Sequence, residues 1–197
     1  HLTTRRQRQM CIRDSNNIIE RGRAYERPAH AEFFFSEGVP GFRADLGLRI
    51  AASPAERPRM RMARPFLSPW ETHPNEKPSF NLYVRNDYGK EAVEFPFQGK
   101  KRSFQKYERF RIRAGKEDIS NPFIIDELVR RLSHEMGIGA SLGVINSLIV
   151  NGEFKGYYNL VERLRSPFFS RLHGADDDTD WDVLAPDFDT NIAEGDK

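Results

Sequence analysis

Ile149-Val150-Asn151-Gly152-Glu153-Phe154-Lys155-Gly156-Tyr157-Tyr158-Asn159-Leu160-Val161-Glu162-Arg163 is the stretch whose reading decides the fold. An apolar run beginning at Val144 leads into it, and it turns on an Asn-Gly pair. Both turn residues tolerate positive φ, which a type I′ turn needs if its strands are to keep their right-handed twist. The stretch predicts a β-hairpin whose polar-aromatic return strand carries two glutamates, Glu153 and Glu162.

Upstream of the hairpin, residues Pro122 to Met136 predict the main helix. Asn121 suits the N-cap and Pro122 the first helical position. Ile124, Leu128 and Leu132 recur every four residues, Ile125, Val129 and Met136 widen the stripe, and Gly137 is placed to end it. Further upstream the period changes to two. Leu46, Leu48 and Ile50 alternate with Asp45, Gly47 and Arg49, and Phe80, Leu82 and Val84 alternate with Asn81, Tyr83 and Arg85. Ala29 to Phe35 and Tyr107 to Arg113 read as strands too, and Pro167 to Leu172 as a short helix. Strands first, then one helix and a hairpin, predict an α+β fold with a largely antiparallel sheet rather than alternating βαβ units.

With 197 residues the chain fits one domain with a core of its own. Residues 1–15 stand apart: they are rich in Arg, Gln and Thr, lack periodicity and hold the only cysteine, Cys11. They read as a non-native or disordered leader, and 16–197 as a truncated domain, an internal piece of a longer protein. The whole chain carries 31 basic and 29 acidic residues; without the leader the balance is 27 to 28. A near-neutral remainder argues against nucleic acid as partner. A chain otherwise free of cysteine rules out a disulfide framework and Cys-based zinc sites. No apolar run reaches the length of a membrane span.

Chemistry-bearing patterns are sparse. No nucleophile triad, Walker-type phosphate loop or dinucleotide fingerprint is present. The five histidines are scattered. The acidic run from Asp176 to Asp182 lacks the glycine and closing glutamate of a calcium loop. Arg57, Arg59, Arg61 and Arg64, in a proline-rich segment, form either a solvated loop or a patch for phosphates. Lys77 precedes a strand, Arg113 and Asp118 flank a loop, Asp126 and Glu127 open the helix, and Glu153 and Glu162 sit on the hairpin.

Asn151 to Arg163 resembles the spore coat protein H (CotH) kinase-like family, whose pattern there is approximately NGEYWGLYNLRER. Lys77 to Arg85 with Tyr88-Gly89, Ile112 to Asp118, Ile125 to Leu128, Trp181 to Leu184 and Glu194 to Asp196 resemble family stretches in the same order. The resemblance implies an atypical protein-kinase-like N-terminal lobe, the ATP-binding portion of a kinase acting on Ser or Thr of secreted or surface proteins. It implies ATP and Mg²⁺ as cofactors of the full-length parent, and an extracytoplasmic, cell-surface or spore-coat location. Its nucleotide-binding residues are expected to be Lys77, with Glu162 or Glu153 as partner, and Arg113. No catalytic residue and no metal ligand is expected within the chain, so the fragment itself is expected to be inactive. Pro78 and Ile125 depart from the family pattern. The departures around Lys77 favour the alternative, a non-catalytic surface or coat module that binds a protein partner.

Overall fold

A computed structural model describes residues 22–35, 41–51, 78–95, 105–115, 124–176, 179, 181–186 and 190–194. The described chain begins with β1 (Arg27–Phe33), β2 (Phe42–Ala51) and β3 (Ser79–Tyr83), followed by the short β4 (Val93–Phe95) and β5 (Gln105–Tyr107). After β6 (Arg109–Arg113) come helix α1 (Ile125–Glu135), β7 (Gly143–Val150) and β8 (Glu153–Glu162). Helix α2 (Ser166–His173), β9 (Val183–Pro186) and β10 (Thr190–Glu194) complete it. Six strands form one curled antiparallel sheet in the order β1-β2-β3-β6-β8-β7, while β4–β5 and β9–β10 form two-stranded sheets.

This architecture corrects the expectation of an α+β kinase-like lobe with one main helix. The described chain is mostly β, with ten strands and two α-helices. The sequence reading missed β4, β5, β9 and β10 as separate strands; β4 and β5, of three residues each, are too short to display a period of two. The leader, Arg57 to Arg64 and Asp118 lie outside the described residues.

The hairpin forms where the sequence predicts it. Asn151 and Gly152 have φ of 52° and 83°, both positive as a type I′ turn requires. Two residues along β8 the register shifts, with Leu148 opposite Gly156 but Ile149 opposite Phe154. Lys155 is the extra residue of this bulge, and Gly156 follows it at φ 102°.

Because β8 pairs antiparallel with both β6 and β7, those two strands run parallel. The chain leaving β6 must therefore return the length of the sheet before β7 can start. At about 1.5 Å per residue, eleven helical residues cover about 16 Å, close to the length of a five-residue strand, so α1 is matched to that return.

One face of the sheet holds the core. Leu46, Phe80, Leu82, Phe110, Ile112, Tyr158 and Leu160 alternate inward and are nearly fully buried. Aromatic rings close the cluster: Phe33 stacks on Phe42 at 4.3 Å, Phe42 meets Phe95 at 4.6 Å, and Phe95 meets Tyr107 at 4.9 Å.

Helix α1 behaves differently from an ordinary core helix. Its apolar stripe faces away from the sheet, with Leu128, Val129 and Leu132 each about half exposed, whereas Glu127 is buried. The sheet face beneath it is polar, so the helix docks through its acids. Its start also differs: Ile124 is the N-cap and supplies no side-chain bond, and Asn121 and Pro122 lie outside the described residues.

Candidate functional site: an arginine face

The alternation that sends Phe110 and Ile112 into the core sends Arg109, Arg111 and Arg113 to the other face. Register then sets their neighbours. One rung runs Arg49, Asn81, Arg111, Val161 and Gly143; a second joins Tyr83 to Arg109; a third joins Arg113 to Asn159. The Arg163 N–H donates to the Arg109 carbonyl at 3.1 Å, which brings Arg163 alongside the second rung.

Tyr83 is the centre of this face. Its ring, 3% exposed, lies under three guanidinium groups: Arg49 at 4.8 Å, Arg85 at 4.9 Å and Arg163 at 5.6 Å. Cations over an aromatic face are attracted by its quadrupole. The phenol oxygen accepts from Arg163 Nη1 at 3.0 Å and from Arg49 Nη2. Arg111 Nε donates to Asn81 Oδ1 at 3.0 Å.

Carboxylates do not match these charges. Arg85 is neutralised by the buried Glu26 at 3.1 Å, which fits beneath β2 only because residue 47 is glycine. Arg113 meets Asp126 at 2.8 Å. Arg49, Arg111 and Arg163 meet only neutral acceptors among the described residues, and Arg49 Nε is buried without a partner there. Burial, followed by repulsion from Arg163, Arg113 and Arg165, pulls Arg111 down to about 10. Arg163 is lowered as well, chiefly by burial. Crowded guanidinium groups that destabilise one another's charge present an environment complementary to an anion.

Helix α1 borders the face through Glu127. Each of its carboxylate oxygens accepts two bonds: Oε1 from Arg131 Nε at 2.8 Å and the Gly143 N–H at 3.0 Å, Oε2 from Arg130 Nη2 at 2.8 Å and Asn159 Nδ2 at 2.9 Å. Burial would push this carboxyl up, but bonds from Arg130, Asn159 and Gly143 outweigh it and hold the carboxyl below its usual range. A side chain at residue 143 would collide with Asn159 and Glu127, so glycine is required there.

The four residues expected from the sequence are not gathered at one point. Lys77 lies outside the described residues. Arg113 is on the arginine face. Glu162 shares the core face with Leu160 and is paired with Arg171 of α2. Glu153 is exposed at the hairpin end, where Lys155 at 2.5 Å holds its carboxyl low. Sequence reasoning passed over Arg49, Asn81, Tyr83, Arg111, Arg163 and Asn159 as site residues. The available signal was Arg-Phe-Arg-Ile-Arg at 109–113, where alternation puts three like charges on one face.

Among the described residues no group of three His, Cys, Asp or Glu side chains could hold a metal ion. No helix there is long and apolar enough to cross a membrane. Compared with known proteins, the chain matches no family model and no curated sequence.

Proposed function

We propose that this chain is the ATP-binding portion of a CotH-like atypical protein kinase whose targets are Ser or Thr of secreted or surface proteins. In this reading the polyphosphate lies on the arginine face. The observation that carries it is the convergence of Arg49, Arg111 and Arg163 near Tyr83 without a carboxylate among the described residues. Arginine presents planar paired donors to phosphate oxygens, and a crowded, half-buried cluster of them gains from a multiply charged ligand. Phosphoryl transfer depends chiefly on such positioning and charge neutralisation. Mg²⁺ would supply further neutralisation in the parent protein, but the described residues do not provide a metal cradle, and no step is assigned through one.

Calorimetry on the full chain with ATP, and with tripolyphosphate as a sugar-free probe, tests the reading. Arg111→Met and Arg163→Met should each weaken binding by about tenfold or more, the loss of about 1.4 kcal/mol or more. Lys77→Ala should weaken ATP binding if Lys77 contacts the phosphates. No binding at millimolar nucleotide, or binding indifferent to both arginine variants, would sink the proposal.

A second reading is a non-catalytic coat or surface module that binds a protein partner. The outward apolar stripe of α1 favours it. In that case ATP does not bind, and substitution of Leu128 and Leu132 alters partner capture rather than nucleotide affinity.

A further inference from the structure

The six-stranded sheet ends in β1 on one side and β7 on the other, and their sequences treat those edges differently. β1 carries Arg27, Pro28, His30 and Glu32, residue types that discourage pairing with another strand. β7 reads Gly-Val-Ile-Asn-Ser-Leu-Ile-Val, eight residues without charge or proline. The bulge of this hairpin belongs to β8, so it does not distort β7.

Parity shows which backbone groups of β7 are open. A two-residue type I′ turn makes Val150 and Glu153 a hydrogen-bonded pair. Val144, Asn146, Leu148 and Val150 therefore direct their N–H and C=O groups to β8, and Gly143, Ile145, Ser147 and Ile149 direct theirs outward. Gly143 agrees: its N–H donates to Glu127 and its carbonyl accepts from Arg131 Nη2 at 3.1 Å. Helix α1 thus closes the edge at its first outward residue. No described residue takes up the outward groups of the next three. The side chains of Ile145 and Ile149 are 37% and 62% exposed.

We propose that β7 is a strand-addition edge and that its occupant is β7 of a second copy of this chain, antiparallel about a two-fold axis at Ser147. In that register Ile145 of each copy faces Ile149 of the other, Ser147 faces itself, and the outward backbone groups form hydrogen-bonded pairs. An uncharged strand can lie against itself without setting like charges opposite one another, and aliphatic pairs across the seam stabilise it. The contact is isologous, so it closes at two copies rather than growing into a fibre. A two-fold axis normal to the sheet keeps both α1 helices on the same side of it. Glu127 and Arg131 reach the outer edge of Gly143, so α1 stands at that end of the seam. A second copy would cover Ile145 and Ile149 as well as pair the edge.

The test is sedimentation of the full chain across a concentration series, beside Ile149→Lys and Ser147→Pro. Both positions are exposed, and the Ser147 N–H points away from β8, so neither change interrupts the internal ladder. Circular dichroism and thermal melting check that each variant still folds. The wild type should dimerise, and each variant should raise the dimer dissociation constant by about tenfold or more. Hydrogen exchange at the Ile145, Ser147 and Ile149 amides should slow as wild-type concentration rises. A wild type that stays monomeric at about 100 µM overturns the proposal, as does a dimer that neither variant weakens. Amides protected at every concentration in a monomer also overturn it, because the edge is then covered from within the same chain.

Discussion

The two faces of the six-stranded sheet are made from the same strands, yet they hold opposite chemistry. On β6, Phe110 and Ile112 point one way and Arg109, Arg111 and Arg113 the other. The first face is closed by packed rings with almost no exposed area. The second carries half-buried guanidinium groups, whose charges are only partly matched by Asp126 and Glu26. A period of two lets adjacent residues serve different ends: every second position secures the fold, and the position between is left to electrostatics. The faces should therefore respond differently to substitution, the core face by losing stability and the arginine face by losing affinity for anions.

The largest effect is expected at Phe110, which has no exposed surface and touches Phe33, Phe42, Phe95 and Tyr107. Phe110→Ala should cost about 3–5 kcal/mol in a urea unfolding titration, the usual penalty for emptying an aromatic core position. A cost below about 1 kcal/mol would mean that the aromatic cluster does not hold the sheet. Next comes Glu127, where one carboxylate satisfies four donors. Glu127→Gln should cost about 2–4 kcal/mol, because an amide cannot accept all four bonds and leaves a buried guanidinium under-compensated. The sign with pH follows from its depressed folded pKa. The contribution of Glu127 is fully present above the ordinary glutamate value of 4.5 and is lost as pH falls through the lower folded value. The variant should lack that part of the acid limb, and equal acid limbs in the two proteins would contradict the arrangement.

Much of the strand framework could be read from the sequence, and the reasons are specific. Leu46, Leu48 and Ile50 alternate because one face of β2 is packed, and Asn151-Gly152 marks a turn because few other pairs accept two positive φ values. Other features could not be read. The stripe of Ile125, Leu128 and Leu132 looks like a core-facing helix, but periodicity does not say which neighbour a helix meets. Here that neighbour is the face carrying Arg113 and Asn159, and Asp126 and Glu127 are what reach it. The site was hidden for a similar reason. Arg49, Tyr83, Arg111 and Arg163 are dispersed over more than a hundred residues, and strand register alone brings them together.

Arg111→Met separates the two faces more finely. Removing one charge from a crowded, half-buried set should shift stability by less than about 1 kcal/mol, or raise it, because a hydrophobe of similar length replaces a guanidinium that its neighbours repel. Tripolyphosphate should raise the melting temperature of the wild type and do so less for the variant. A large loss of stability without any change in the anion effect would show that Arg111 is structural.

The smallest effect is expected at Glu153. Its sequence position beside the turn made it a candidate partner for Lys77, but it is fully exposed and its described contact is with Lys155, two residues away. Such a pair is solvated on all sides and screened by salt, so it contributes little. Glu153→Gln should leave both the melting temperature and tripolyphosphate affinity unchanged, in contrast with Glu127→Gln and Arg111→Met. A loss of affinity from Glu153→Gln would require the hairpin tip to share in the anion site, and would move that site from the middle of the sheet face toward its β7–β8 end.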